Sequence, residues 1–143
     1  MDSSQLQTIF KLLDDIYYKI EKMSRETLAL DEFSHLTIAE AKTIFSIGDK
    51  EPKTMKQISA ELGIAPNTAT VAVDRLVLKG IAQRETDHDD RRKLTVKLTP
   101  KGMRAMKEID KGYIKQIGIF LSPLSDAEIL VFKNLLEKIQ SNI

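Results

Sequence analysis

The chain has 143 residues, 42% hydrophobic and 30% charged, which predicts one globular unit with an apolar core. It has no cysteine and only two histidines, which excludes disulfides and thiol chemistry, and we expect neither a metal nor a cofactor. The net charge is +1, and no apolar run approaches the roughly 18 residues of a membrane helix, so we expect a cytoplasmic protein without membrane contact.

The first two predicted elements are helices. Apolar side chains recur every three or four residues over residues 6–30, which predicts one long amphipathic helix. After a polar break, Thr37 and Glu40 form a capping-box pattern, which opens a second helix that ends before Gly48. Residues 49–53 are then expected to form a loop.

Two shorter helices come next. Thr54 and Gln57 form another capping-box pattern, predicting a helix that ends at Gly63. Pro66 stands where the first turn of a helix tolerates proline, and that helix is expected to reach Lys79. Two helices joined by a tight glycine turn are typical of a helix-turn-helix, although such hairpins also occur as plain packing units.

A short hairpin and two helices complete the chain. β-prone stretches at residues 81–86 and 94–98 flank a charged turn, residues 87–93, which together predict a β wing. Helices are then predicted over residues 99–121 and 125–140. The fold class is therefore mainly α with a small β wing, in the order α-α-α-α-β-β-α-α.

The charges are unevenly distributed along the chain. Residues 1–52 carry six basic and ten acidic side chains, residues 53–107 carry twelve and six, and residues 108–143 carry four and five. The basic middle third suits a module that faces a polyanion. Clustered lysines, however, are more often only a solvated face.

The second helix of the hairpin has a polar outward face. An inward apolar face is formed by Ala69, Ala72, Val73 and Leu76, and the outward face carries Asn67, Thr70, Val71 and Asp74. Small hydrogen-bonding side chains at a helix N-terminus can reach base edges in a DNA major groove. This face therefore predicts a DNA recognition helix.

The wing tip carries three consecutive cations, Arg91, Arg92 and Lys93. Guanidinium groups on a protruding turn suit a narrow, electronegative minor groove. The neighbouring aspartates reduce the local charge, which favours the alternative that the tip only maintains solubility. The functional interpretation is that one carboxylate pairs with a nearby arginine and so braces the wing.

Residues 36–102 resemble the MarR family of winged helix-turn-helix regulators. The family's D-x-R…v-x-L-T-x-x-G and L-x-x-x-G-x-x-x-R patterns are matched in register by Asp90-Arg91-Arg92, Leu94, Val96, Leu98-Thr99 and Gly102, and by Leu76, Gly80 and Arg84. The resemblance implies a DNA-binding winged helix-turn-helix at residues 36–99, flanked by N- and C-terminal dimerisation helices, residues 1–35 and 100–143. The apolar faces at both ends agree, because they exceed what one small domain can bury.

The expected function follows from this resemblance. It implies a homodimer that binds pseudo-palindromic double-stranded DNA as a transcriptional regulator, with repression favoured over activation. The expected DNA contacts are Thr54, Asn67, Thr68, Thr70, Val71, Arg75, Arg91, Arg92 and Lys93, and the expected wing-bracing residues are Asp90 and Arg84. Two positions depart from the family pattern: Ala65 lacks a capping hydroxyl, and Val71 replaces a basic residue.

Alternatives remain open at this stage. No phosphate loop, nucleophile elbow or metal-binding helix motif is present, so we expect no enzyme. A winged helix used only for protein–protein contact is the second hypothesis. An effector pocket for a small apolar or aromatic ligand would be lined by Phe10, Tyr17, Phe33 and Phe45, although aromatics at helical spacing are more often core.

Overall fold

A computed structural model describes residues 2–28 and 32–143 of the chain. Six helices and three strands lie in these residues. They are α1 (Ser3–Leu28), α2 (Ile38–Ile47), β1 (Lys53–Thr54), α3 (Met55–Leu62), α4 (Pro66–Leu78), β2 (Ala82–Thr86), β3 (Leu94–Leu98), α5 (Pro100–Leu121) and α6 (Asp126–Gln140). The prediction of a mainly helical fold with a small β wing is confirmed.

The helix starts follow the local capping signals. At Thr37, Thr54 and Ser125 the hydroxyl accepts from the backbone N–H three residues on, and the Glu or Gln there accepts from the cap backbone. Because each capping box satisfies two amides that the helix cannot, it fixes the first turn independently of tertiary contacts. The expected end of the first helix near residue 30 lies outside the described residues.

The three strands form an antiparallel sheet in the order β1-β3-β2. β2 pairs with β3 from Ala82 opposite Leu98 to Thr86 opposite Leu94. On the other side of β3, Lys53 lies opposite Val96. The assignment of residues 49–53 wholly to a loop was therefore wrong, since Lys53 begins a strand. Two residues are too few to show the alternation that identifies strands in a sequence.

The core lies where α2, α3, α4 and the sheet meet the first half of α5. Its large, fully buried side chains are Phe33, Ile44, Ile47, Ile58, Val73, Leu76, Ile81, Val96, Leu98 and Ile109. No described side chain of α1 or α6 belongs to this core. The winged domain thus has its own core, and the two terminal helices lie outside it.

The terminal helices expose apolar side chains instead. On α1 these include Leu6, Ile9, Phe10, Leu13, Ile16 and Tyr17, and on α6 they include Leu130, Val131, Phe132, Leu135, Leu136 and Ile139. α1 packs against α5 and α2, which leaves this face uncovered. Exposed apolar stripes of this extent mark an interaction surface.

Within the described residues, no helix combines the length and the apolar character that crossing a membrane requires.

The C-terminal end of α4 is tied to three other parts of the fold by Lys79. Its Nζ atom donates to Glu40 Oε2 at 2.7 Å and to the His35 carbonyl at 3.2 Å. Lys101 Nζ donates in turn to the Lys79 carbonyl at 3.0 Å. The Glu40 side chain is only 4% exposed, so this pair joins α2 to α4 largely away from water.

The Glu40–Lys79 pair is expected to make stability depend on pH. Burial by itself raises the pKa of Glu40, but the Lys79 ammonium, the Thr37 amide and the charge of Arg75 outweigh it, and the net pKa is lowered. A lowered folded-state pKa gives stability that is present above the usual glutamate pKa and is lost as pH falls through the folded value. Glu40→Gln should therefore destabilise the protein by about 1–3 kcal/mol at neutral pH, and much less at about pH 3.

Urea unfolding at both pH values measures this difference. Glu61→Gln is a matched control, because Glu61 also pairs with a lysine, Lys53 at 3.0 Å, but its side chain is 46% exposed. The Glu61→Gln substitution should lower the free energy of unfolding by less than Glu40→Gln does at neutral pH. An equal loss in both variants, or a Glu40→Gln loss that does not change with pH, would contradict the expectation.

Candidate nucleic-acid interface

The helix-turn-helix is formed by α3, a turn and α4. Gly63 ends α3 with φ 64°, in the left-handed region that glycine adopts without strain, and its N–H donates to the Ala60 carbonyl at 3.2 Å. Thr54, an expected DNA contact, is the N-cap of α3. Its hydroxyl accepts from the Gln57 N–H at 3.2 Å, so this oxygen already has a structural role.

The two faces of α4 divide as expected. Ala69, Val73 and Leu76 are fully buried against the core. The expected contacts on this helix are all exposed: Asn67, Thr68, Thr70, Val71 and Arg75. Val71 is 51% exposed although its side chain is apolar. The Thr70 hydroxyl donates to the Pro66 carbonyl at 3.0 Å, which leaves its lone pairs available to an amino group.

The start of α4 lacks a side-chain cap. Its N-cap is Ala65, which makes no capping hydrogen bond, and Pro66 follows at the first helical position. The backbone amides of the first turn therefore point outward without the partner that a serine or threonine would supply. The positive end of the helix dipole is exposed at the same point.

The wing turn is ordered by hydrogen bonds of its own. The Asp87 N–H donates to the Lys93 carbonyl at 2.9 Å, and the Lys93 N–H donates to the Asp90 carbonyl at 2.9 Å. Arg91, Arg92 and Lys93 project as exposed side chains. Among the described residues none of these three cations forms an ion pair.

The expected bracing of the wing needs correction. Asp90 does not pair with a guanidinium; its Oδ1 atom accepts from the backbone N–H of Arg92 at 3.0 Å and so shapes the turn. Arg84 pairs instead with Asp74, with 2.5 Å between Nη1 and Oδ1. An aspartate readily accepts a hydrogen bond from the backbone N–H two residues later. Asp90 makes this local bond instead of pairing with an arginine side chain.

The positive charge of the middle third is only partly on the side of α4 and the wing. Four of its cations are already paired with carboxylates: Lys53 with Glu61, Lys79 with Glu40, Arg84 with Asp74 and Lys97 with Glu85. Lys101, Arg104 and Lys107 lie on α5, beyond the base of the wing. Among the described residues, the other cations of the middle third without an ion pair are Lys56 on α3, Arg75 on α4 and the three at the wing tip.

The four aromatic residues expected to line an effector pocket are not brought together. Phe33 is 1% exposed and lies in the core, while Phe10 and Tyr17 are 69% and 64% exposed on α1. Phe45 lines a cleft of about 490 Å³ together with Gly48, Pro52 and Met106. The pocket as expected is therefore wrong for the single chain, because helical spacing does not reveal which aromatic faces the core.

Comparison with known proteins gives a consistent result. Residues 36–94 match the sequence model of the MarR family. Over 132 residues the chain is 26% identical to YsmB of Bacillus subtilis (strain 168), an uncharacterized HTH-type transcriptional regulator, covering 92% of this chain and 88% of YsmB.

Solved structures share the fold over nearly the whole chain. A MarR family protein from Bacillus stearothermophilus is similar with a TM-score of 0.89 and 24% identity, covering 99% of this chain and 97% of that one. FabT of Streptococcus pneumoniae, solved in complex with DNA, is similar with a TM-score of 0.84 and 26% identity over 95% of each chain.

Proposed function

We propose that the chain, which matches the MarR family model over residues 36–94, is a homodimeric transcriptional regulator that binds pseudo-palindromic double-stranded DNA, as a repressor. The observation that carries the proposal is the division of α4 into a buried face and an exposed face of hydrogen-bonding side chains, beside a wing tip with unpaired cations. In this proposal α4 enters a major groove, and Asn67, Thr68 and Thr70 reach bases or phosphates there.

The apolar faces of α1 and α6 support a second copy of the chain as the protein partner. Both helices lie outside the core, and both expose leucine, isoleucine and aromatic side chains. Two-fold symmetry would then present two copies of α4 to two half-sites about 34 Å apart, which is one DNA turn. In this proposal residues 1–35 and 100–143 form the dimer, and residues 36–99 bind DNA.

The DNA partner is also supported by a relative, since FabT was solved with DNA. The alternative, a winged helix used only for protein–protein contact, explains the fold but not the three unpaired cations at the wing tip. Selection of bound fragments from a random duplex pool at low salt, followed by mobility shift, tests the two. Recovery of a two-fold symmetric sequence supports the proposal, and no retained duplex supports the alternative.

Arg92→Ala is expected to weaken binding of the selected duplex by about 1–3 kcal/mol and to flatten its salt dependence, because one phosphate or minor-groove contact is lost. Arg104→Ala is the matched control. Arg104 is also exposed without an ion pair, but it lies on α5. When binding is measured from low to moderate salt, only the Arg92 variant should differ from the unmodified protein in affinity and in salt dependence. Similar losses in both would mean that charge acts without regard to position.

Regulation by a ligand is the most specific part of the proposal. The cleft lined by Phe45 and Met106 lies beside the loop that leads from α2 to β1, so it adjoins the winged domain. A largely apolar organic molecule there could change DNA affinity only through different affinities for the free and DNA-bound forms. Titration of the complex with aromatic acids and fatty-acyl compounds, with zinc and peroxide as controls, tests this.

A further inference from the structure

We infer that Asp74 and Arg84 form a strut that fixes the wing at a set distance from α4, and that Asp74 is a positioning residue rather than a base-reading one. The inference rests on the proposed DNA binding. It assigns a role to a carboxylate on the exposed side of α4, where an acidic group beside phosphates would otherwise oppose binding.

The pair joins two successive elements that also contact each other, α4 and β2. Asp74 lies seven residues after Asn67, on the outward side of α4, and Arg84 lies in the middle of β2, opposite Val96 of β3. Arg84 is on the same face of β2 as the buried Ala82, so it points toward α4. The 2.5 Å contact therefore crosses from the helix to the wing.

The other ion pair of the wing does not make this connection. Lys97 and Glu85, 2.8 Å apart, pair β3 with β2 inside the hairpin itself. Beyond the strut, the described contacts that hold the tip are the β2–β3 ladder, the pairing of Thr54 with Thr95, the Lys97–Glu85 pair and the turn. Because Arg92 lies eight residues past Arg84, a small rotation at the base displaces the tip by a larger distance.

The strut hypothesis and a simple charge argument predict opposite changes in DNA affinity for Asp74→Asn. Removing a negative charge beside DNA, and freeing Arg84 to contact phosphate, would tighten binding in Asp74→Asn. If the pair positions the wing, Asp74→Asn and Arg84→Met should each weaken binding, by about threefold to tenfold since both side chains are partly exposed. Glu85→Gln should leave the affinity unchanged.

The loss should also depend on the wing. In the Arg92→Ala background the effect of Asp74→Asn should shrink, because a misplaced tip has less to lose. The thermal midpoint of Asp74→Asn should stay close to that of Glu85→Gln. Full additivity with Arg92→Ala, or tighter binding by Asp74→Asn, would overturn the strut.

A distance measurement without DNA separates the strut from the proposed function. The chain has no cysteine, so Thr68→Cys and His88→Cys would carry the only two spin labels, one at the start of α4 and one in the wing turn. Diluting labelled chains with unlabelled ones keeps each pair within one subunit. Double electron–electron resonance should give one narrow distance distribution between the two labels. Asp74→Asn should broaden this distribution, and Glu85→Gln should not. An unchanged distribution in Asp74→Asn would refute the strut even if DNA binds, whereas broadening without DNA binding would refute the proposed function alone.

Discussion

Gly102→Ala is expected to destabilise the protein by about 3 kcal/mol, because the new methyl group has no space. A Cβ atom at this position would lie 2.0 Å from the Ile81 carbonyl oxygen and 3.2 Å from Leu98 Cβ. The same carbonyl accepts from the Thr99 N–H at 3.0 Å, so it cannot move without breaking the junction between the wing and α5. Urea unfolding monitored by circular dichroism measures the loss.

Gly118→Ala is the matched control for this prediction. Gly118 lies in the same helix, and its added Cβ would meet nothing within 4 Å. Alanine at an open helix position should leave stability unchanged or raise it by up to about 1 kcal/mol. A Gly102→Ala protein as stable as the Gly118→Ala protein would show that α5 can shift away from Ile81 at little cost.

Leu135→Glu on α6 is expected to convert the protein to a folded monomer and to lower DNA affinity by about a hundredfold or more. Leu135 is 53% exposed in the single chain, so the charge should not disturb the core of the winged domain. In the proposed dimer it would be buried without a partner charge, which is costly. A monomer engages one half-site only and loses the effective concentration of the second.

Sedimentation, circular dichroism and mobility shift together measure the three parts of that expectation. Asn134→Glu places the same charge on the polar side of the same helix and should remain a dimer. A dimeric Leu135→Glu protein would place the interface elsewhere. A monomer that binds the selected duplex with full affinity would contradict the requirement for two half-sites.

The elements were predictable because their signals are local. The capping boxes at Thr37, Thr54 and Ser125, and the turn glycine Gly63, each act within a few residues, and each proved to be where the helix begins or ends. The β-prone stretches at residues 81–86 and 94–98, on either side of a charged turn, likewise indicate one hairpin. Such signals need no knowledge of what packs against them.

Pairings between distant residues were not predictable in the same way. Asp74 was assigned to an outward face, and Arg84 to bracing, but nothing in either neighbourhood indicates that they meet. Phe33 belongs to the buried core cluster, although it lies in a polar stretch of the sequence that gives no sign of burial. β1 exists only because β3 has an open edge beside it. The site residues on α4 and the wing tip stay predictions until DNA binding is measured.

The Lys79 contacts anchor the C-terminal end of α4 to α2 and to the segment that precedes it. The helix has 13 residues, so the end nearest Asn67 lies about 20 Å from Lys79. A tilt of about 10° around Lys79 would displace the far end by roughly 3 Å, comparable to the length of a hydrogen bond. Substitutions at Glu40 or Lys79, which touch no DNA in the proposed complex, would therefore be recovered in a genetic screen among the variants that lose operator recognition.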